Sequence, residues 1–244
     1  RLHENGSDIH HHLGVSAFSE YVVVARNSVV KVDKDVPFER LALFGCAVMT
    51  GVGAVVNTAK VQMGSTVAIV GLGGVGLSAL LGAVASGARK IVAIDLNQEK
   101  LEFAKQLGAT DVFNAGDEHV VENVKAATDG GVDYAFETAG AVPAMDTAYK
   151  ITRRGGMTIT TGLPHPSHKF SFTQVTLTAE ERTMKGSYVG SCVPSRDIPR
   201  FIDMYKQGKL PIDKLLSGTI PLEQINEGFD RLSNGEVNRL VVLP

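Results

Sequence analysis

Residues 67–76 read VAIVGLGGVG, an apolar run that empties into glycines at 71, 73 and 76, with a further apolar stretch behind them. This spacing suits a pyrophosphate. Gly71 permits a tight turn, Gly73 keeps a side chain out of the phosphate's path, and Gly76 lets the next helix pack against the strand. A helix starting there aims unpaired N–H groups and the positive end of its dipole at the anion. Leu72, Gly74 and Val75 complete the candidate turn. A second apolar run, 91–94, ends at Asp95, nineteen residues past Gly76. That is close to the roughly 20-residue spacing at which a carboxylate accepts hydrogen bonds from an adenosine ribose. A carboxylate there also repels a ribose phosphate, so the pattern favours NAD over NADP.

Other chemistry-bearing residues are sparse. Cys46 and Cys192 are too few for a disulfide framework, which fits a reducing, cytoplasmic compartment. Cys46 alone reads as a core thiol in a small-residue stretch. His10, His11 and His12 are consecutive, so on a strand they would point to alternate faces and not converge on one ion. His165 and His168 flank a Pro loop and read as solvent or interface residues. Glu137 ends a strand candidate with no partner visible and is not assigned as a base.

The elements that must position these groups follow from periodicity. Strand candidates are 66–70, 90–94, 111–113, 132–136 and 157–161, with a sixth near 183–187. Helix candidates 74–85, 98–107, 118–128 and 142–150 lie between them. Apolar strands alternating with helices predict a parallel sheet covered on both faces, and right-handed crossovers make it doubly wound. Gly87 and Gly108 fall where helices should stop. Ahead of this rhythm, 18–32 alternates and predicts two short strands around Arg26-Asn27. Pro37 opens a helix, and 43–60 predicts two helical stretches hinged near Thr50-Gly51. Behind it, 162–181 reads as a loop with an extended piece at 169–172. After Gly190 come an amphipathic helix over 198–207, an extended 218–221, a helix over 222–232 and a final strand at 239–243.

Composition narrows the function classes. A chain 44% hydrophobic and 20% charged, with net charge −2, is an ordinary globular sequence with no electrostatic bias toward nucleic acid or an anionic membrane. No apolar run reaches the roughly 18 residues of a spanning helix. Residues 1–12 are polar and lack the apolar core of a signal peptide. There is no initiator Met.

Several segments together resemble the zinc-dependent medium-chain alcohol dehydrogenases, within the medium-chain dehydrogenase/reductase group. They are AFSEY at 17–21, GCAVMTGVGA at 45–54, NTAKV at 57–61, GSTVA at 64–68, the glycine turn, Asp95, LGAT at 107–110, GVDYAFETAG at 131–140, Lys185-Gly186 and INEGF at 225–229. The resemblance implies an α/β Rossmann domain over 48–188 inserted in a partial, mainly β catalytic domain formed by 1–47 and 189–244. It also implies hydride transfer between NAD and an alcohol, aldehyde or ketone, with zinc holding the substrate oxygen.

On that resemblance Cys46 is one zinc ligand and Thr50, the catalytic candidate, lies near the nicotinamide. Lys100 is near the adenosine ribose, and Arg239 reaches the pyrophosphate. Thr138, Thr161 and Leu163 surround the nicotinamide, while Ser187 and Val189 lie along its carboxamide. Plainer roles stay open for several: a packing hydroxyl for Thr50, a surface helix lysine for Lys100, a strand-edge arginine for Arg239. The remaining zinc ligands would belong to a segment ahead of residue 1. The chain then reads as a fragment that binds cofactor with little or no turnover. A zinc-free enone or quinone reductase and a non-catalytic NAD-binding remnant are the alternatives. Homodimers or homotetramers, paired through the sheet edge near 170–189, are expected.

Overall fold

The computed structural model describes residues 2–9 and 14–244. The metal reading of His10, His11 and His12 lies outside the described residues. The chain divides into two units: Leu43–Leu215, and Arg1–Ala42 together with Leu216–Pro244.

The smaller unit begins with an antiparallel hairpin, β1 (Leu2–Glu4) and β2 (Ser7–Ile9). Asn5 and Gly6 turn it, both at positive φ, as a two-residue hairpin requires. The two strands predicted over 18–32 are not formed; the stretch holds only a 3₁₀ turn at Arg26–Ser28. A strand needs a neighbour for its ladder, and among the described residues none pairs with this segment. Successive side chains are all open to solvent, with Tyr21 89%, Val22 45% and Val23 99% exposed. Helix α1 (Phe38–Leu41) follows Pro37.

In the larger unit, α2 (Ala47–Gly53) runs straight through Thr50-Gly51 and continues as a π-turn, Ala54–Ala59. The expected hinge is absent because Gly51 serves packing. A Cβ there would lie 2.3 Å from the Val75 carbonyl and 2.6 Å from the Ala79 nitrogen. The strand–helix rhythm then appears as predicted. It comprises β3 (Thr66–Val70), α3 (Gly74–Ala85), β4 (Lys90–Asp95), α4 (Gln98–Leu107), β5 (Asp111–Asn114), α5 (Val120–Ala127), β6 (Val132–Glu137), α6 (Val142–Ile151), β7 (Thr152–Thr160), α7 (Gln174–Ala179), β8 (Thr183–Gly186) and α8 (Pro194–Lys206). Strand β7 starts five residues early, its first residue paired with Val132 ahead of a register shift. Helix α7 falls where a loop was expected.

The six strands are all parallel, in the order β5-β4-β3-β6-β7-β8. The chain winds outward from β3 to β5, then restarts beside β3 with β6, so the switch in direction falls between β3 and β6. Central β3 is buried at every residue. On one face Val70, Val92 and Ile94 pack with Val120 and Val124 of α5 and Ala148 and Ile151 of α6. On α4, the Asn97 side chain caps the N–H groups of Glu99 and Lys100, and Gly108 ends the helix at φ +114°. The chain returns to the smaller unit with β9 (Gly218–Pro221), α9 (Ile225–Ser233) and β10 (Leu240–Leu243), the two strands paired in parallel. Among the described residues no single helix is long and apolar enough to cross a membrane.

Candidate functional site

Ligands of open parallel sheets gather beyond the carboxyl ends of the strands, where the winding direction switches. The glycine turn lies there, after β3. Gly71 adopts φ +95°, a conformation open to glycine and costly for other residues. Its N–H donates to the Ile94 carbonyl at 2.8 Å. The Thr138 hydroxyl, at the end of β6, donates to the Gly71 carbonyl at 2.6 Å. Gly76 stands against this brace: a Cβ would lie 1.9 Å from the Gly71 oxygen and 2.6 Å from Thr138 Oγ1. Gly73 is different. Its backbone is extended at φ −75°, as any residue could be, and nothing lies within 4 Å of where its Cβ would point. The open space therefore lies at Gly73, the N-cap of α3, where no side chain caps the helix.

Asp95 stands beside this turn at the end of β4. One carboxylate oxygen accepts the Leu72 N–H at 2.6 Å and the other the Asn97 N–H at 2.9 Å. The acid thus braces the glycine turn as well as facing a hollow of about 250 Å³ between the ends of β3, β4, β5 and α6. That hollow is lined by Gly71 and Asp95 and by residues the sequence did not single out: Val70, Ile94, Leu96, Ala115, Ala139, Ala141, Pro143, Ala144 and Thr147. Ala115, Ala139 and Ala141 among them share a signal, small apolar residues just past β5 and β6. Lys100 does not line the hollow; it lies in the first turn of α4. A larger hollow, about 400 Å³, between α6 and the 171–176 stretch includes none of the candidate residues.

Past β6 and β7 the loops are locked together. Glu137 is 2% exposed, with one oxygen accepting the Gly140 N–H at 2.6 Å and the other the Thr160 hydroxyl at 2.7 Å. It is a brace, and both its oxygens are engaged. The Thr161 N–H donates to the Glu137 carbonyl at 2.9 Å. A Cβ on Gly162 would lie 2.4 Å from the Gly140 backbone, so these two loops touch. Leu163, just beyond, is exposed.

After β8, the Ser187 N–H donates to the Thr160 carbonyl at 2.9 Å, and its buried hydroxyl shares a 2.7 Å hydrogen bond with Thr58. Val189, Gly190 and Ser191 follow with φ of +50°, +66° and +50°. A β-branched residue in that region costs about 1–3 kcal/mol and persists only where its surroundings hold it. Thr50 is close to this turn: a Cβ on Gly190 would lie 2.4 Å from the Met49 oxygen and 2.9 Å from the Thr50 oxygen. The structure thus gathers Thr50, Ser187 and Val189. Nearby, Cys192 is half-buried; burial first, then the Asp197 charge, push its thiol pKa up to about 11. Asp197 is fully buried, and the hydrogen bond from Arg196 holds its carboxyl below the usual range.

Cys46 is exposed, at the break that precedes α2. Catalytic zinc takes three protein ligands. Among the described residues no three His, Cys, Asp or Glu side chains come together to hold a metal. Cys46 by itself does not make such a site. Arg239 belongs to the smaller unit. Its backbone pairs with Ser217, and its Nε is buried without a hydrogen-bond partner.

Residues 74–207 match the family model described as zinc-binding dehydrogenase. A benzyl alcohol dehydrogenase from Acinetobacter calcoaceticus is 36% identical at TM-score 0.85, over 87% of this chain and 59% of that one. An alcohol dehydrogenase zinc-binding domain protein from Burkholderia ambifaria is 35% identical at TM-score 0.87, over 91% of this chain and 60% of that one. An alcohol dehydrogenase from Thermus sp. ATN1 is 27% identical at TM-score 0.80, over 88% and 61%. The chain therefore spans less than two thirds of the length of each of these structures.

Proposed function

The chain belongs to the zinc-binding dehydrogenase family, and from that premise we propose that it is the nucleotide-binding part of an NAD-dependent oxidoreductase interconverting an alcohol with its aldehyde or ketone. One observation carries the reading. An open, uncapped helix start at Gly73 lies beside a hollow walled mainly by apolar residues and by Asp95. The residues present fit a dinucleotide: α3 offers N–H groups to the pyrophosphate, the hollow accepts the adenosine, and Asp95 faces its ribose. When bound, the nicotinamide supplies the hydride acceptor.

The chain's own residues order that cofactor. Thr138 and Asp95 fix the glycine turn. Thr161 and Leu163 past β7, and Ser187 and Val189 past β8, are assigned to the nicotinamide half with Thr50 across from them. Lys100 keeps the role that the resemblance gives it. Zinc does not fit the described residues alone, so the zinc-assisted part of the reaction belongs to a longer protein in which Cys46 is one ligand. Edge strand β8 is the assigned pairing edge of a homodimer or homotetramer.

The test is titration of the chain with NADH and NADPH, as wild type and as Asp95→Ser. Wild type should prefer NADH. The variant should lose about 1–3 kcal/mol of NADH affinity and most of the preference. Unchanged dissociation constants for both cofactors would remove Asp95 from the site, and no binding of either would sink the dinucleotide reading.

A further inference from the structure

The NTAKV segment at 57–61 and Lys185-Gly186 are given no role by the nucleotide turn, yet the structure joins them. Helix α2 does not end in an ordinary turn. It widens into the π-turn Ala54–Ala59, closed by the left-handed Lys60 and by a hydrogen bond from the Val61 N–H to the Val55 carbonyl. Such widened turns are rare and recur at functional sites. Here the turn directs two consecutive side chains at one segment.

Asn57 Nδ2 reaches the Gly190 carbonyl at 3.4 Å, Cys192 Sγ at 3.3 Å and Asp197 Oδ2 at 3.4 Å. Thr58 Oγ1 bonds the hydroxyls of Ser187 at 2.7 Å and Ser191 at 2.8 Å. The Thr58 carbonyl accepts the Lys185 ammonium at 3.0 Å. The segment so held contains three successive left-handed residues, Val189 to Ser191. A valine does not keep that conformation unaided. Gly190 packs so tightly on α2 that a Cβ would fall 2.8 Å from Gly53 Cα. The strained turn therefore depends on contacts from the π-turn.

We propose that Asn57 and Thr58 are positioning residues: they clamp the left-handed turn and, through it, set the wall that Ser187 and Val189 present to the nicotinamide. This rests on the dinucleotide reading above. The clamp acts on the nicotinamide end alone, because the side chains of Asn57 and Thr58 bond to residues between Ser187 and Asp197 and the Thr58 carbonyl to Lys185 on edge strand β8, whereas the adenosine hollow is built from the ends of β3, β4, β5 and α6.

ADP-ribose, which shares the adenosine and pyrophosphate but lacks the nicotinamide, separates the two ends. Calorimetric titration of the 244-residue chain with NADH and with ADP-ribose should show both binding wild type. Thr58→Val keeps the side-chain shape and removes the hydroxyl. It should weaken NADH about tenfold and leave ADP-ribose within about twofold. Thr58→Ser should restore NADH binding, and Asn57→Ala should behave as Thr58→Val if it folds. Equal losses for both ligands, or no loss for either in Thr58→Val, would overturn the clamp while leaving the dinucleotide reading intact. A wild type that binds neither ligand would overturn both.

Discussion

Two glycines three residues apart in the same turn make opposite demands on a single methyl group. In Gly76→Ala the new Cβ would meet the Gly71 carbonyl at 1.9 Å and the Thr138 hydroxyl at 2.6 Å, so the helix start or the turn must move. Overpacking of this kind costs about 1–3 kcal/mol, and loss of the Thr138–Gly71 hydrogen bond adds about 1 kcal/mol. The sum, about 2–4 kcal/mol, is a large part of the roughly 5–15 kcal/mol that holds a domain folded. The urea midpoint should fall by about 1–2 M.

Gly73→Ala introduces its methyl into empty space at an allowed φ of −75°. Reduced freedom of the unfolded chain gains about 0.4–1 kcal/mol, and alanine's poor capping returns a similar amount. Stability should therefore hold within about 0.5 kcal/mol. The methyl does stand where a phosphate must approach. Losing one or two charge-assisted hydrogen bonds there should weaken NADH about tenfold to a hundredfold. Urea titration monitored by circular dichroism and NADH calorimetry on both variants read these effects separately. A Gly73→Ala protein that binds NADH as wild type does would refute the placement of the pyrophosphate at this helix start.

Gly51→Ala distinguishes packing from flexibility by sign. A mid-helix glycine kept for bending would be replaced with a gain of about 1 kcal/mol, whereas a Cβ 2.3 Å from the Val75 carbonyl should cost about 1–3 kcal/mol, read from the urea midpoint. Cys192 should react with iodoacetamide after Cys46 at pH 8, because its pKa of about 11 keeps it protonated when folded; equal rates before unfolding would refute that burial. The same thiol gives stability a direction. The unfolded chain releases this proton near the ordinary thiol value of 9.0 while the folded chain keeps it to about 11. The contribution is thus complete below pH 9 and lost as pH rises across that window, which urea midpoints measured from pH 8 to 11 would detect.

The central strands and their helices were legible because a strand buried on both faces must be a continuous apolar run; Val67 to Val70 and Ile91 to Ile94 are such runs, short and bounded by turn residues. Gly71, Gly73, Gly76 and Asp95 were legible because their chemistry depends on local spacing. Features set by distant partners were not. The valines at 22–24 and 29–30 have strand character, but among the described residues no neighbour completes a ladder with them. Gly51 looks like a hinge until Val75 and Ala79 are set against it. Glu137 takes its meaning from the Gly140 N–H and the Thr160 hydroxyl. Ala115, Ala139 and Ala144 line a hollow without any reactive group to mark them. Asn57 and Thr58 bond to residues more than 120 positions away.

The order of the sheet also fixes the order in which the growing chain can complete it. Val67 on β3 pairs with Ile91 on one side, 24 residues later, and with Tyr134 on the other, 67 residues later. During synthesis, then, a strand that ends buried at every residue has its first neighbour well before its second. One edge of β3 stays open while the residues from α4 through α5 emerge, and an open apolar edge is a template for pairing with other chains. The interval before β6 is therefore when a nascent chain depends most on being shielded.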